Sequence, residues 1–149
     1  MVTGVELTTV SAIKLLARAP DRDADRLSAR IRALVDRSVE VTHSSSTGLV
    51  EMSAAGITKA SGLAAFADAH GVDARDAVAF GDMPNDVPML RWAGHGVAVA
   101  VANAHPEALA VADDVTLSNV DDGVAVYLER WYPAEMPIVD GRHFSGRAV

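Results

Sequence analysis

The chain has 149 residues, half of them hydrophobic and 22% charged, with no cysteine and a formal net charge of -7 at pH 7. That length suits one ordinary domain with a sizeable core, and the lack of cysteine excludes disulfides, thiolate catalysis and Cys-ligated zinc while leaving oxygen-ligated metals open. An acidic balance without a Lys/Arg stripe argues against a nucleic-acid surface; no run of about eighteen apolar residues and no basic leader argue against a membrane span or signal peptide, so the cytoplasm is the expected location.

"SAIKLLARAP" reads as a strand of mixed burial that Pro20 and the "DRDAD" cluster end. From Ala24 to Arg37, Leu27, Ile31 and Leu34 recur at helical spacing, which predicts an amphipathic helix. "SVEVTHS" and "GLVEMSA" alternate apolar and polar residues around a Ser/Thr/Gly cluster, predicting two strands, antiparallel to each other. "ITKASGLAAFADAHGV" is helix-favouring to His70, with Gly71 placed for a left-handed C-terminal residue.

Beyond Gly71 the pattern becomes strand, helix, strand, helix. "DAVAF", "GVAVAVA" and "DVTLS" are short apolar runs of the kind buried in parallel sheets. Between and after them, "NDVPMLRWAG", "HPEALAVAD" and "DDGVAVYLERW" read as helices, and the tail from Tyr132 as loop. The expected fold class is α/β, parallel strands with flanking helices, preceded by an α+β piece and divided from it near Ala54 to Thr58.

In open α/β sheets, ligands collect beyond the carboxyl ends of the strands. Asp82, Asn85 and Asp86 occupy that position after "AVAF", so two carboxylates and an amide converge on one mouth, in reach of a divalent cation and a phosphate. The all-oxygen set suits magnesium better than zinc. The same acids also suit simple capping of the next helix. Lys59 stands at a helix start, where the dipole disfavours a cation; it reads either as a phosphate-holding charge or as a solvated surface lysine. His43, His70, His95, His105 and His143 are dispersed without ligand spacing, which assigns them packing or surface roles, and Trp92, Trp131 and Tyr132 are expected to pack the last helices.

"ITKASGLAAFADAHGV", "AFGDMPNDVPMLRWAGHGVAV", "NAHPEALAVADDVTLSN" and "DDGVAVYLER", in this order, resemble the haloacid dehalogenase superfamily of phosphohydrolases and its Cof-type sugar-phosphatase-like branch. The resemblance implies a Mg2+ cofactor ligated by Asp82 and supported by Asp86, with Asn85 contacting the phosphoryl group. Lys59 takes the role of the lysine that steadies substrate phosphate and nucleophile. It further implies that residues 1–55 are the end of an α+β cap, 56–131 the C-terminal half of a partial Rossmann-like core, and 132–149 a tail. The stretch "GVAVAVANA" is about two residues longer than the branch's usual pattern, which loosens the register of Asn103.

The branch's nucleophile is the first Asp of a D-x-D-G-T string after the first core strand, and no such string exists here. "PDRDAD" contains a D-x-D, but its setting is a helix start. The expectation is therefore a chain that begins within the cap, is inactive alone, and exposes a core strand edge open to self-association or to the missing N-terminal half. The substrate implied is a small phosphorylated metabolite. The rivals are a non-catalytic binding or regulatory module and one half of a split enzyme.

Overall fold

The computed structural model describes residues 11–45, 47–94 and 96–130. The readings of His95, Trp131, His143 and the tail from Tyr132 lie outside the described residues.

Strand β1 (Leu15–Arg18) leads through the Pro20 turn into helix α1 (Ala24–Arg32), whose first turn is capped by Asp23 accepting from the Arg26 N–H at 2.9 Å. The helix stops five residues before the predicted Arg37. Leu34 keeps helical spacing, yet it is 85% exposed, while Val35 packs inward with Leu27 and Ile31 against Val41 and Val50. Asp36 then takes the Ser38 N–H and hydroxyl on its carboxylate, a local bond that turns the chain out of the helix.

Strands β2 (Val39–Thr42) and β3 (Leu49–Ala54) pair antiparallel as predicted, in a register that sets Val41 opposite Met52. Strand β1 joins the other side of β3, giving a three-stranded sheet in the order β1-β3-β2. The buried face of this sheet carries α1.

Helix α2 (Lys59–His70) begins at a capping box in which Thr58 and Ser61 exchange side-chain and backbone bonds. It ends where Gly71 adopts φ 67°, a left-handed conformation that costs glycine little. Strands β4 (Val78–Gly81), β5 (Val97–Val101) and β6 (Asp114–Thr116) then form a parallel sheet in that order. Helix α3 (Val87–Ala93), α4 (Pro106–Leu109) and α5 (Gly123–Leu128) connect or close it. The α/β class is as the sequence predicts.

The parallel sheet is buried through alternation. Ala79, Ala98 and Ala100 meet Leu90 and Ala93 of α3 and Ala108 of α4, and small side chains let helix and sheet approach closely. Leu90, with no exposed surface, is the largest side chain of that cluster, and its burial contributes about 1.5–3 kcal/mol. Phe80, on the opposite face of β4, meets the Tyr127 ring of α5 edge-on at 5.5 Å. Helix α4 is shorter than "HPEALAVAD" suggests, because Asp113 bonds the Ala98 backbone through both its N–H and its carboxylate and draws the chain back to the sheet. Among the described residues, β4 pairs on one side only, and no helix is long and apolar enough to cross a membrane.

Candidate functional site

The carboxyl end of β4 delivers Gly81, Asp82 and Met83 into a short 3-10 turn, Pro84–Asp86, that runs straight into α3. Asp86 is only 3% exposed and folds back under this loop. Its Oδ2 accepts the N–H groups of Asp82 at 3.0 Å and Met83 at 3.1 Å. Its Oδ1 accepts from the Lys59 ammonium, which arrives from the first turn of α2. Both oxygens of this buried carboxylate are therefore engaged in shaping the loop and fixing the lysine.

Gly81 makes that fold-back possible. A Cβ on it would stand 2.6 Å from the Asp86 Cβ and 3.2 Å from a Leu90 methyl. The "GD" step is thus steric as well as chemical, a role that a string of acids does not reveal.

Asp82 stands partly buried just past the carboxyl end of β4. Burial, and after it the charge of Asp86, push the Asp82 carboxyl above its ordinary value. Its backbone is pinned by the His105 N–H, which donates to the Asp82 carbonyl at 2.7 Å. Asn85 lies one turn further on, with its N–H directed at the His43 carbonyl at 3.4 Å. The Asn85 Oδ1 is buried and has no hydrogen-bond partner among the described residues. A buried acceptor left unpaired carries a desolvation cost, which a cation, a donor or an ordered water would remove.

Lys59 and Asn85 open into a cleft of about 430 Å³ between the two sheets. Lys14, Arg32 and Arg91 also line it, balanced by Glu40, Glu51 and Glu107. These three cations are missing from the sequence-based site, because nothing in their local spacing marks them; only the tertiary fold brings them to one cleft. Asn103 anchors the neighbouring loop instead of entering it: its amide donates to the Asn119 side chain at 2.8 Å and its oxygen accepts the Asn119 N–H at 3.1 Å. His43 and His105, far apart in sequence, meet at 5.6 Å across Asp25, which the reading of dispersed histidines did not anticipate.

The site thus combines a partly buried carboxylate, an unpaired amide oxygen and a lysine fixed by a buried acid, at the carboxyl end of a parallel strand. Such a set can hold a hard cation and one oxyanion side by side.

The family model for haloacid dehalogenase-like hydrolases matches residues 5–128. Among curated proteins, the chain is 38% identical over 96 residues to a 5-amino-6-(5-phospho-D-ribitylamino)uracil phosphatase of Bacillus subtilis, covering 64% of this chain and 37% of that one. It is 32% identical over 133 residues to a phosphoglycolate phosphatase of Methanoculleus marisnigri, covering 87% and 55%. Among solved structures, a haloalkanoate-superfamily phosphatase of Bacteroides thetaiotaomicron aligns with TM-score 0.69 at 27% identity, over 88% of this chain and 47% of that one. A Thermotoga maritima protein aligns with TM-score 0.58 at 32% identity, over 79% and 43%. The chain spans between about a third and a little over half of the length of these relatives. With the parallel sheet, the loop after β4 and a model match over most of its length, the chain belongs to the haloacid dehalogenase-like hydrolases, in their Cof-type branch.

Proposed function

We propose that this chain carries the metal-and-phosphate side of a magnesium-dependent phosphatase that hydrolyses small phosphate monoesters such as sugar phosphates. The observation that carries the reading is the loop after β4, where Asp82 is desolvated beside Asp86 and the Asn85 oxygen is buried without a partner. Both are oxygen donors in want of positive charge, and so fit a hard divalent cation. Magnesium, when bound, would neutralise charge developing on the phosphoryl oxygens.

Each residue then has a distinct task. Asp82 holds the cation. Asn85 orients the phosphoryl group or the ligand shell around it. Asp86 keeps the loop in shape through two backbone N–H groups and steadies Lys59, so its support of the cation is indirect. Lys59, half exposed toward the cleft, offers its ammonium to a phosphate oxygen. In this reading residues 1–55 are the end of a cap that closes over the cleft, and the substrate is selected there.

The attacking carboxylate is not among these 149 residues, which contain no D-x-D-G-T string. We place it on a polypeptide segment outside them, whose strand would pair with the open side of β4; without such a segment that edge is available to a second copy. Two features support this: the one-sided pairing of β4 among the described residues and the roughly half-length coverage of the solved structures.

The test uses the 149-residue chain and a generic phosphate monoester. Magnesium binds weakly, binding is lost in Asp82→Ala, and no magnesium-dependent hydrolysis is seen. Turnover that vanishes in Asp82→Ala would overturn the placement of the nucleophile outside the chain. Magnesium binding indifferent to Asp82→Ala would overturn the assignment of the metal site.

A further inference from the structure

His43 is buried, with its ring nitrogens 3.2 Å from the Ser45 carbonyl oxygen and 3.0 Å from Asp25 Oδ1. The carbonyl oxygen and the carboxylate oxygen both only accept, and a neutral imidazole carries a single proton. When that proton serves the Ser45 carbonyl from Nδ1, Nε2 is a bare lone pair facing a carboxylate oxygen. Two acceptors in that position repel unless a positive charge lies between them.

His105 approaches the other oxygen of the same carboxylate, Nε2 to Oδ2 at 3.4 Å. One ligand atom from each of Asp25, His43 and His105 lies within 4.8 Å of the other two. A point shared by three such atoms is at most about 2.8 Å from each, so zinc bonds of about 2.0–2.2 Å require each ligand to close by less than about 1 Å.

We propose that Asp25, His43 and His105 form a binding site for a divalent transition-metal ion of the zinc class. Two imidazoles and one carboxylate suit zinc, cobalt or nickel and do not suit magnesium, so the site is chemically distinct from the oxygen donors at Asp82 and Asn85. The bond from His43 Nδ1 to the Ser45 carbonyl is the outer contact that orients a metal-bound histidine and fixes its tautomer. Asp25 is 64% exposed at its side chain, which supplies an entry path and leaves room for water as a further ligand.

Binding has one identifiable cost. His105 Nδ1 now accepts the Glu107 N–H at 3.2 Å, so its proton sits on Nε2. Giving Nε2 to a metal moves that proton to Nδ1 and releases the Glu107 N–H to solvent.

The ion would clamp α1, the β2–β3 turn and the loop after β5. Two of these clamped points hold the loop after β4: the His105 N–H bonds the Asp82 carbonyl, and the His43 carbonyl receives the Asn85 N–H. Zinc-class metal at this site is therefore a structural brace for the phosphate-site loop, and it stands whether or not the proposed hydrolysis is correct.

The test titrates Zn2+, and Co2+ as a coloured probe, into chelator-treated 149-residue chain. The expected result is one equivalent bound, with cobalt showing the visible absorption of nitrogen and oxygen ligation. Asp25→Asn and His105→Ala should each weaken binding at least about tenfold, by the scale of losses at metal sites, and His70→Ala should not. These two positions are partly exposed, so they carry the test if His43→Ala fails to fold. In nitrogen-15 spectra, His105 should change from the Nε2–H to the Nδ1–H tautomer, and zinc-bound His43 should show Nδ1–H. Absence of zinc binding would overturn the proposal. Zinc binding abolished by Asp82→Ala, or displaced by millimolar magnesium, would also overturn it.

Discussion

Replacing Lys59 with Met removes one partner of a carboxylate whose side chain is 4% exposed. Breaking a fully buried pair from one side costs about 3–5 kcal/mol. The full figure does not apply here. The Lys59 side chain is 49% exposed, so water screens the pair, and Asp86 keeps the N–H groups of Asp82 and Met83. The expected loss is about 1–2 kcal/mol, or roughly 2–8 °C in melting temperature for a domain of this size. Asp86→Ala should cost more, about 3–4 kcal/mol, because it strands two backbone donors as well as the ammonium. The double variant should fall short of the summed losses by about 1 kcal/mol or more, since one interaction is removed in both single variants. Urea unfolding followed by circular dichroism, with all four proteins compared in one buffer, measures the cycle. A Lys59→Met loss below about 0.3 kcal/mol together with strict additivity would refute the claim that this lysine is held by Asp86.

Asp82→Asn tests the sign of the loop electrostatics. The Asp82 carboxyl sits above its ordinary value of 3.8, so the folded state holds that proton more tightly than the unfolded state. Stability contributed by this group therefore declines as pH rises from the ordinary value through the raised one, and the penalty is fully present at neutral pH. Asp82→Asn should raise the metal-free melting temperature at neutral pH, flatten that acid-side slope and abolish stabilisation by magnesium; for the parent chain, tenfold excess over Kd is worth about 1.4 kcal/mol. A melting temperature lowered by the substitution would contradict the sign. Gly81→Ala forces a Cβ against Asp86 and Leu90 and should cost about 1–3 kcal/mol in calorimetry; a neutral result would mean the loop has room to spare. Asn85→Ala loses no hydrogen bond of its side-chain oxygen, so stability should change by less than about 0.5 kcal/mol while magnesium affinity falls; a large stability loss with unchanged affinity would reverse that assignment.

Periodicity and turn chemistry made most of the backbone legible. Alternation in "VEVT" and "LVEMSA" identified an antiparallel pair, Gly71 marked the end of α2, and three short apolar runs became the parallel sheet. What failed were helix endings, decided by packing and by single side-chain bonds that periodicity does not register. Leu34 has the spacing of a buried residue, but α1 ends before it because Val35 takes the inward place and Asp36 captures Ser38. Asp113 cuts α4 short by bonding β5.

The site was legible where chemistry is local in sequence. Asp82, Asn85 and Asp86 fall on one loop, so their convergence follows from the strand and helix around them. The division of labour among them does not. That Asp86 spends both oxygens on backbone and Lys59 depends on a contact 27 residues distant and on the missing Cβ of Gly81. The convergence of Lys14, Arg32 and Arg91, and the meeting of His43 with His105 over Asp25, arise only in the tertiary fold.

The central claim is that these residues are the metal-and-phosphate side of a phosphatase site that needs an attacking carboxylate from elsewhere. The direct measurement fuses, ahead of this chain, whatever part of the Bacillus subtilis phosphatase relative precedes the residues aligned with this chain, and assays phosphate release from small phosphate monoesters. A fusion with native-like circular dichroism should hydrolyse them in a magnesium-dependent manner, and activity should vanish in Asp82→Ala. A folded fusion that binds magnesium yet releases no phosphate, or one whose activity is indifferent to Asp82→Ala, would contradict the account.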